Sequence, residues 1–160
     1  MADERELVLA EHADAPWLPQ GGRAQVVRGG RPRSPMCLVR LLLRRVDRVF
    51  CVPRDGTGKL DLPTRPVVLD DPDGAATVAD LVLEVTGATH EARFLGAVRN
   101  IVDAADDDYP WPSPLAHFGV WIADAEPCVP GHWLSVEELG SPLRDRHWFP
   151  LVQGHGAESR

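Results

Sequence analysis

Residues 59–88, KLDLPTRPVVLDDPDGAATVADLVLEVTGA, decide the fold of this chain. The alternation of apolar and polar side chains over residues 60–62 predicts a short strand, which Pro63 ends. An acidic loop leads to Asp73, which we expect to cap a helix, because an aspartate side chain accepts hydrogen bonds from the first free N–H groups. Gly87 is placed to end that helix. The segment therefore predicts the order strand, loop, helix.

The predicted helix is amphipathic. Its aliphatic residues recur at the spacing i, i+3, i+4, i+7, which places them on one side of the helix. They are Val78, Leu81, Val82 and Val85. Thr77, Asp80 and Glu84 fall on the other side. We expect the first set to pack against the core and the second set to face solvent.

Length and charge limit the class of protein. The chain has 160 residues, which suits one domain with a core of its own. Its net charge of −7 argues against duplex nucleic acid or an anionic membrane as a main partner, because both are negatively charged. The first residues, MADERELVLAEH, lack the basic start and apolar core of a signal peptide, and we expect a cytoplasmic protein.

Cysteine usage points away from structural zinc and from disulfides. Cys37, Cys51 and Cys128 are odd in number and show no C-x-x-C spacing. We expect reduced thiols that pack as small hydrophobic side chains.

The chain divides into three predicted parts. Residues 1–35 contain glycine and proline breakers and are expected to form an N-terminal arm, which Trp17 either docks or leaves loose. Residues 36–152 are expected to form the domain, and residues 153–160 a polar C-terminal tail.

Within the domain, β-prone runs predict strands at 37–43, 49–52, 92–102 and 117–122, the first two forming a hairpin. Ser135 is expected to cap a further helix that starts with Glu137 and Glu138, because a helix N-terminus favours acidic residues.

The segment 59–88 resembles the Nudix box, whose pattern is G-x5-E-x7-R-E-U-x-E-E-x-G-U, with U a bulky aliphatic residue. The pair Leu62-Pro63, the acidic loop, Gly87 and the later run WLSVEEL (133–139) match Nudix domains in order and spacing. The resemblance implies an α/β/α sandwich around a mixed β-sheet. It also implies a hydrolase of nucleoside diphosphates linked to another group, in which Mg²⁺ or Mn²⁺ bridges the diphosphate to glutamates of the helix.

Most of the metal-binding residues of that pattern are replaced in this chain. Anchored at Gly87, the pattern places its arginine on Asp80, its first helix glutamate on Leu81 and its glutamate pair on Glu84 and Val85. The box is therefore degenerate, and Glu84 is the one glutamate kept in register.

Glu84 and Asp80 are nevertheless candidate metal ligands and catalytic residues, since they lie one turn apart on one side of the helix. Mg²⁺ can bind through one or two protein carboxylates when phosphate and water complete its coordination. Asp70, Asp71 and Asp73 are further candidates. The alternative is that Asp80 and Glu84 form only the solvated side of an amphipathic helix.

Candidate ligand-binding residues lie on strands and on the loop 103–114. Arg40, Arg93 and Arg99 alternate with apolar residues and suit a phosphate if they face a concave surface of the sheet. Tyr109 and Trp111 can stack on a base, or they pin the loop.

Candidate acid-base residues lie outside the box. Glu137 and Glu138 could supply a general base, or they are simply the acids that a helix N-terminus favours. His117 and His132 lie beside apolar runs and are either acid-base groups or hydrogen-bonded structural residues.

Three hypotheses follow. The first is a divergent Nudix-type protein that binds a phosphorylated, nucleoside-diphosphate-type ligand and has lost ordinary Mg²⁺-dependent hydrolysis. The second is an active, atypical hydrolase that uses Glu84. The third is a non-catalytic interaction or regulatory module, compatible with a homodimer that has Leu81 and Val85 at its interface. Two aliphatic residues in the box favour the first hypothesis, because a hard divalent cation needs oxygen ligands.

Overall fold

A six-stranded mixed sheet organises the chain, and the computed structural model describes residues 5–153 of it. The strands are β1 (Glu6–His12), β2 (Arg23–Gly29), β3 (Met36–Leu42), β4 (Arg44–Arg45), β5 (Arg48–Pro53), β6 (Leu60–Asp61), β7 (Thr64–Pro66), β8 (Ala92–Ile101), β9 (Leu115–Ala123) and β10 (His132–Ser135). The helices are α1 (Ala75–Thr86) and α2 (Phe149–Val152), with a 3₁₀ turn at Pro142–Asp145.

The strand order of the large sheet is β1-β2-β8-β9-β3-β7. The pair β3 and β9 is parallel, and the other neighbours are antiparallel. A smaller sheet has the order β10-β5-β4, and β6 pairs with β5. The predicted hairpin forms at its turn end, where β4 pairs antiparallel with β5 and the Phe50 N–H donates to the Leu43 carbonyl, whereas β3 itself pairs with β7 and β9.

Each face of the large sheet carries a helix. On one face α1 buries the predicted aliphatic set Val78, Leu81, Val82 and Val85 against residues of β3 and β9 such as Val39, Leu41 and Trp121. On the other face α2 lies against β1, β2 and β8. The predicted α/β class, with helices on both faces of a mixed sheet, is confirmed.

The prediction that residues 1–35 form an arm outside the domain is wrong for the described residues from 5 onward. Strands β1 and β2 lie within this range and extend the large sheet, because β2 pairs with β8 from Arg23 to Arg28. Their backbone groups complete hydrogen-bonded ladders, which an arm outside the domain would leave open. The predicted tail, residues 153–160, lies outside the described residues except for Gln153.

The start of α1 differs from the prediction in one respect. Gly74, and not Asp73, occupies the N-cap position with φ of 80°, and a β-carbon there would lie 2.9 Å from Val39 Cγ1. Asp73 Oδ1 nevertheless accepts a hydrogen bond from the Ala75 N–H at 3.1 Å, which is the capping contact predicted for it. The end agrees with the prediction, because Gly87 has φ of 79° and donates its N–H to the Leu83 carbonyl.

Asp71 holds the first turn of α1. Its carboxylate accepts hydrogen bonds from the N–H of Ala76 at 3.2 Å and from the N–H and hydroxyl of Thr77 at 2.7 and 2.6 Å. The side chain is buried, and Thr77 is buried with it rather than facing solvent as predicted. Asp71 therefore satisfies free donors of the first helical turn, of which those of Thr77 would otherwise be buried without a partner.

Two of the three cysteines behave as predicted. Cys51 lies in the core, where burial raises the pKa of its thiol to about 12, and Cys37 is half-buried. Cys128 is free but exposed, which departs from the prediction. Separately, neither described helix has the length and apolar character that crossing a membrane would require.

Replacing Asp71 tests its role at the helix start. We expect Asp71→Ala to lower the free energy of unfolding by about 1–2 kcal/mol at pH 7, the cost of losing a capping side chain. The control Asp70→Ala removes an exposed neighbour and should cost less than about 0.5 kcal/mol. Urea denaturation followed by circular dichroism measures both.

The loss should depend on pH. Burial raises the pKa of Asp71, but hydrogen bonds from Thr77 and Ala76 outweigh it and hold the pKa below its ordinary value of 3.8. Such a group stabilises the fold above its unfolded pKa, and this stabilisation disappears as the pH falls through the folded pKa. The gap between wild type and variant should be full above about pH 5 and shrink below about pH 4. A gap that stays constant across this range would contradict the assignment.

Candidate functional site

A cleft of about 200 Å³ opens on the face of the large sheet that lies opposite α1. Side chains of successive strand residues alternate between faces, so Val39 and Leu41 pack toward α1 while Leu38 and Arg40 face the cleft. The cleft is lined by Trp17, Leu38, Arg40, Arg54, Val98, Asn100, Trp111, Phe118 and His147. It combines cations, aromatic rings and one amide on an apolar floor.

Arg40 is the central cation of the cleft. Its residue is only 7% exposed, and burial lowers the pKa of its guanidinium while Asp61 opposes that shift. Arg40 Nε lies 3.6 Å from Asp61 Oδ1, beyond hydrogen-bond distance, and has no hydrogen-bond partner among residues 5–153. A buried guanidinium with unused donors is costly unless something accepts from it. Arg40 is therefore suited to bind an anion that enters the cleft.

Asp61 is buried and lies within ion-pair distance of both arginines of the cleft. Its Oδ1 accepts hydrogen bonds from the Leu62 N–H and from Trp148 Nε1, both at 2.8 Å. Its Oδ2 lies 3.5 Å from Arg54 Nη2. Two guanidinium groups thus share one carboxylate, which leaves a net positive charge at the cleft.

Aromatic rings form two walls of the cleft. Trp17 stacks on His147 with ring centroids 4.4 Å apart and an interplanar angle of 23°. Trp111 meets Phe118 edge to face at 5.1 Å. The stack confirms that Trp17 docks the N-terminal segment onto the rest of the chain.

His147 is a neutral member of this site near pH 7. Partial desolvation lowers the pKa of its ring, and the cations Arg40, His12 and Arg54 lower it further, while Asp61 opposes the shift. A bound anion would favour the protonated ring.

Helix α1, which lies in the segment that resembles the Nudix box and is called the box helix here, presents few carboxylates to solvent. Glu84 Oε1 lies 2.6 Å from Arg65 Nη1, and this ion pair is exposed, with 60% of the Glu84 side chain accessible. Asp80 is also exposed. Leu81 and Val85 are 1% and 3% exposed, so they belong to the core of this chain and cannot form the subunit interface considered above.

These positions do not fit the cation that the Nudix resemblance implies. Within the described range, 5–153, no group of three or more His, Cys, Asp or Glu side chains is placed to hold a metal ion. Of the loop candidates, Asp71 is committed to the helix start, while Asp70 and Asp73 are exposed. The box helix therefore supplies no cluster of oxygen ligands for a hard cation.

The predicted ligand-binding residues divide into two groups. Arg40 and Trp111 line the cleft, and the Tyr109 hydroxyl lies 3.4 Å from Asn100 Nδ2, an amide that also lines it. Arg93 is exposed in a separate depression at the far end of β8.

Arg99 lies on the α1 face of the sheet and is fully engaged. It donates to Glu6 Oε2 at 2.7 Å, to Gln25 Oε1 at 3.3 Å and to His117 Nε2 at 3.1 Å. His117 Nδ1 lies 3.3 Å from the Pro35 carbonyl, and burial followed by Arg99 lowers its pKa. His117 is therefore a neutral structural residue, as the alternative in the sequence analysis had it.

The remaining acid-base candidates lie outside the cleft. The predicted helix after Ser135 is absent from the described structure, where residues 136–140 form bends and a turn. The Ser135 hydroxyl still accepts from the N–H groups of Glu137 and Glu138, at 3.0 and 3.1 Å, but both carboxylates point into solvent-exposed surroundings. His132 is exposed as well.

Sequence reasoning missed five residues of the site. They are Trp17 as a wall, Arg54, Asp61, Asn100 and His147. The sequence contained one indication that Asp61 is unusual. It is a carboxylate between two leucines, the second of which precedes a proline. The pattern alone predicts a solvent-facing side chain there, because it does not show that the C-terminal segment covers β6.

Comparisons with known proteins give only distant likenesses. No family model matches the chain, and no curated protein matches it. Among solved structures, a point mutant of a Bacillus subtilis pyrophosphohydrolase is 16% identical with a TM-score of 0.49 and covers 77% of this chain and 68% of its own. An ADP-ribose pyrophosphatase from Streptococcus suis is 18% identical with a TM-score of 0.43 and covers 76% and 93%. At these values neither protein determines the activity of this chain.

Two substitutions in α1 test whether Glu84 or the aliphatic residues matter to the fold. Glu84→Ala should change the free energy of unfolding by less than about 1 kcal/mol, because exposed ion pairs contribute little. Leu81→Ala should cost about 2–5 kcal/mol, as for other buried leucines. Thermal denaturation with and without Mn²⁺ measures both. A Glu84→Ala protein that is more stable than wild type and has lost a Mn²⁺-dependent stabilisation would instead indicate a working metal site.

Proposed function

We propose that this chain is a Nudix-like protein that binds a phosphorylated, nucleoside-diphosphate-type ligand in the cleft of Arg40 and Arg54, and that ordinary Mg²⁺-dependent hydrolysis through the box helix is lost. The observation that carries the proposal is the buried Arg40 guanidinium, whose Nε lacks a hydrogen-bond partner in the described chain. Nε itself is enclosed and faces Asp61, so a phosphate oxygen would accept from the remaining donors of the Arg40 guanidinium, which lines the cleft.

The charge of the cleft supports an anionic ligand. Arg40 and Arg54 face one buried carboxylate, Asp61, and the ring of His147 can take up a proton when an anion binds. The rest of the chain is acidic, with a net charge of −7. A positive cleft on a negative protein favours small anions over extended polyanions, which would meet repulsion outside the cleft.

The aromatic walls support an organic group beside the phosphate. Trp111 and the Trp17–His147 stack offer flat, partly exposed rings, and stacking on a base is worth about 1–3 kcal/mol. Asn100 adds an amide that can donate and accept hydrogen bonds. A nucleotide combines an anion and a flat ring and would use both features.

The residues of α1 support the proposed loss of hydrolysis. Leu81 and Val85 occupy the positions of box glutamates and are buried in the core, so they cannot be exchanged for ligands without loss of packing. Glu84 is held by Arg65 at the surface. The homodimer remains a prediction.

Binding of ADP to an arginine variant tests the proposal. Arg54 is partly exposed, so Arg54→Gln should fold normally, and we expect it to weaken ADP binding by about tenfold, the loss of one charge-assisted hydrogen bond. Arg45→Gln is the matched control, because Arg45 pairs with Glu126 and lies outside the cleft. Isothermal titration calorimetry measures both. Equal affinity in all three proteins would show that the cleft does not bind ADP.

Turnover assays test the proposed loss of hydrolysis. We expect nucleoside diphosphate sugars, dinucleotides and nucleoside triphosphates to show no appreciable Mg²⁺-dependent cleavage, because the box helix presents no ligand cluster. Phosphate and nucleotide release can be followed by chromatography. Robust turnover that falls on Glu84→Gln would favour the active, atypical hydrolase instead.

A further inference from the structure

A second depression adjoins the arginine cleft and differs from it in chemistry. This apolar groove, of about 270 Å³, is lined by Ser34, Pro35, Met36, Cys37, Val67, Val68, Leu69, Asp71, Pro72, Trp111 and Pro112. Trp111 lines both depressions, so the indole is their common wall. An irregularity in the pairing of β3 with β9, between Met36 and Leu38, lets Cys37 line the groove while Leu38 lines the cleft.

The groove exposes apolar surface that residues 5–153 leave uncovered. Val68 is 60% exposed, and Leu69 is fully exposed. Singly exposed aliphatic residues are common, but two adjacent ones at the mouth of a groove next to a tryptophan form a contiguous patch. Such a patch gains free energy when an apolar group covers it.

The distribution of charge assigns different parts of a ligand to the two depressions. The cleft contains Arg40 and Arg54, whereas among residues 5–153 the only charged residue that lines the groove is Asp71. Its carboxylate is already committed to Ala76 and Thr77. A phosphate is therefore attracted to the cleft, since no cation lines the groove within residues 5–153. An uncharged apolar group can enter the groove without the desolvation cost that a charged group would have.

The volumes also favour a shared ligand. Small-molecule sites usually measure about 300–1,000 Å³, and the cleft and groove reach that range only together. We infer that the ligand's diphosphate lies at Arg40 and Arg54 and carries, besides the nucleoside of the proposed function, an apolar group that lies across Trp111 in the groove. This inference rests on the proposed function and specifies the group that the diphosphate carries.

A series of diphosphates tests the inference by calorimetry. Inorganic pyrophosphate provides the head alone, dimethylallyl diphosphate adds five carbons, and geranyl diphosphate adds ten. Each buried methylene is worth about a fourfold gain in affinity, so geranyl diphosphate should bind at least about tenfold more tightly than dimethylallyl diphosphate. Equal affinities for the two esters would overturn the inference.

A groove variant with a matched control locates the effect. Val68→Asn should weaken geranyl diphosphate binding by about fivefold and leave pyrophosphate and ADP binding unchanged, because it removes apolar contact only. Val46→Asn changes another exposed valine, 88% accessible and outside both depressions, and should have no effect. Equal losses in both variants would overturn the inference. So would a loss of ADP affinity in Val68→Asn, since the groove would then hold the base.

Alkylation of Cys37 gives an independent readout. In a Cys128→Ser background the exposed thiol is gone, and Cys51 is buried. Burial raises the pKa of Cys37, so its reaction with N-ethylmaleimide should be slow but measurable by mass spectrometry. Geranyl diphosphate should slow it at least fivefold and pyrophosphate should not; equal protection by both would overturn the inference.

Failure of the inference and failure of the proposed function give different results. If ADP and pyrophosphate bind in a manner that depends on Arg54 but geranyl diphosphate gains nothing from the groove, the cleft stands and the apolar group is wrong. If the affinity of every diphosphate is the same in Arg54→Gln and wild type, the cleft itself is wrong, and the inference falls with it.

Discussion

The buried carboxylate of Asp61 is the constraint on which the site depends. It lies in the short strand β6, accepts a hydrogen bond from Trp148 in the C-terminal segment and lies within ion-pair distance of Arg40 on β3. It thereby ties three distant parts of the chain to one point. Breaking such a buried pair costs about 3–5 kcal/mol, because the remaining charge has no compensation. The cleft therefore keeps its cations in place before any ligand arrives.

The two faces of the large sheet serve different purposes. The face under α1 is closed by aliphatic side chains, and Leu81 and Val85 are part of that closure. A side chain that is almost fully buried cannot also present oxygen atoms to a ligand outside the core. Apolar packing of α1 and a cluster of metal-binding carboxylates on it are thus competing uses of the same helix positions. In this chain packing takes those positions, and the polar chemistry lies on the opposite face.

Several elements could be predicted because their causes are local. The helix-stopping glycine at 87 needs only a left-handed backbone, and the aliphatic spacing of α1 needs only the helical period. The failures involve partners distant in sequence. Residues 6–12 and 23–29 are strands because β8 pairs with β2, and Ser135 caps two N–H groups without a helix following. Neither the pairing partner nor the packing that sustains a helix is visible in a local pattern.

The sequence by itself determined the α/β class, the extent of α1 and the aliphatic residues at positions 81 and 85, since each depends on residue types at fixed local spacings. It also nominated Arg40 and Trp111. Only the tertiary structure decided which face of the sheet Arg40 occupies, that Asp61 is buried beneath it, and that Trp111 separates a charged cleft from an apolar groove. Burial and the sharing of one wall by two depressions are properties of elements that meet in space, and the order of residues along the chain does not specify them.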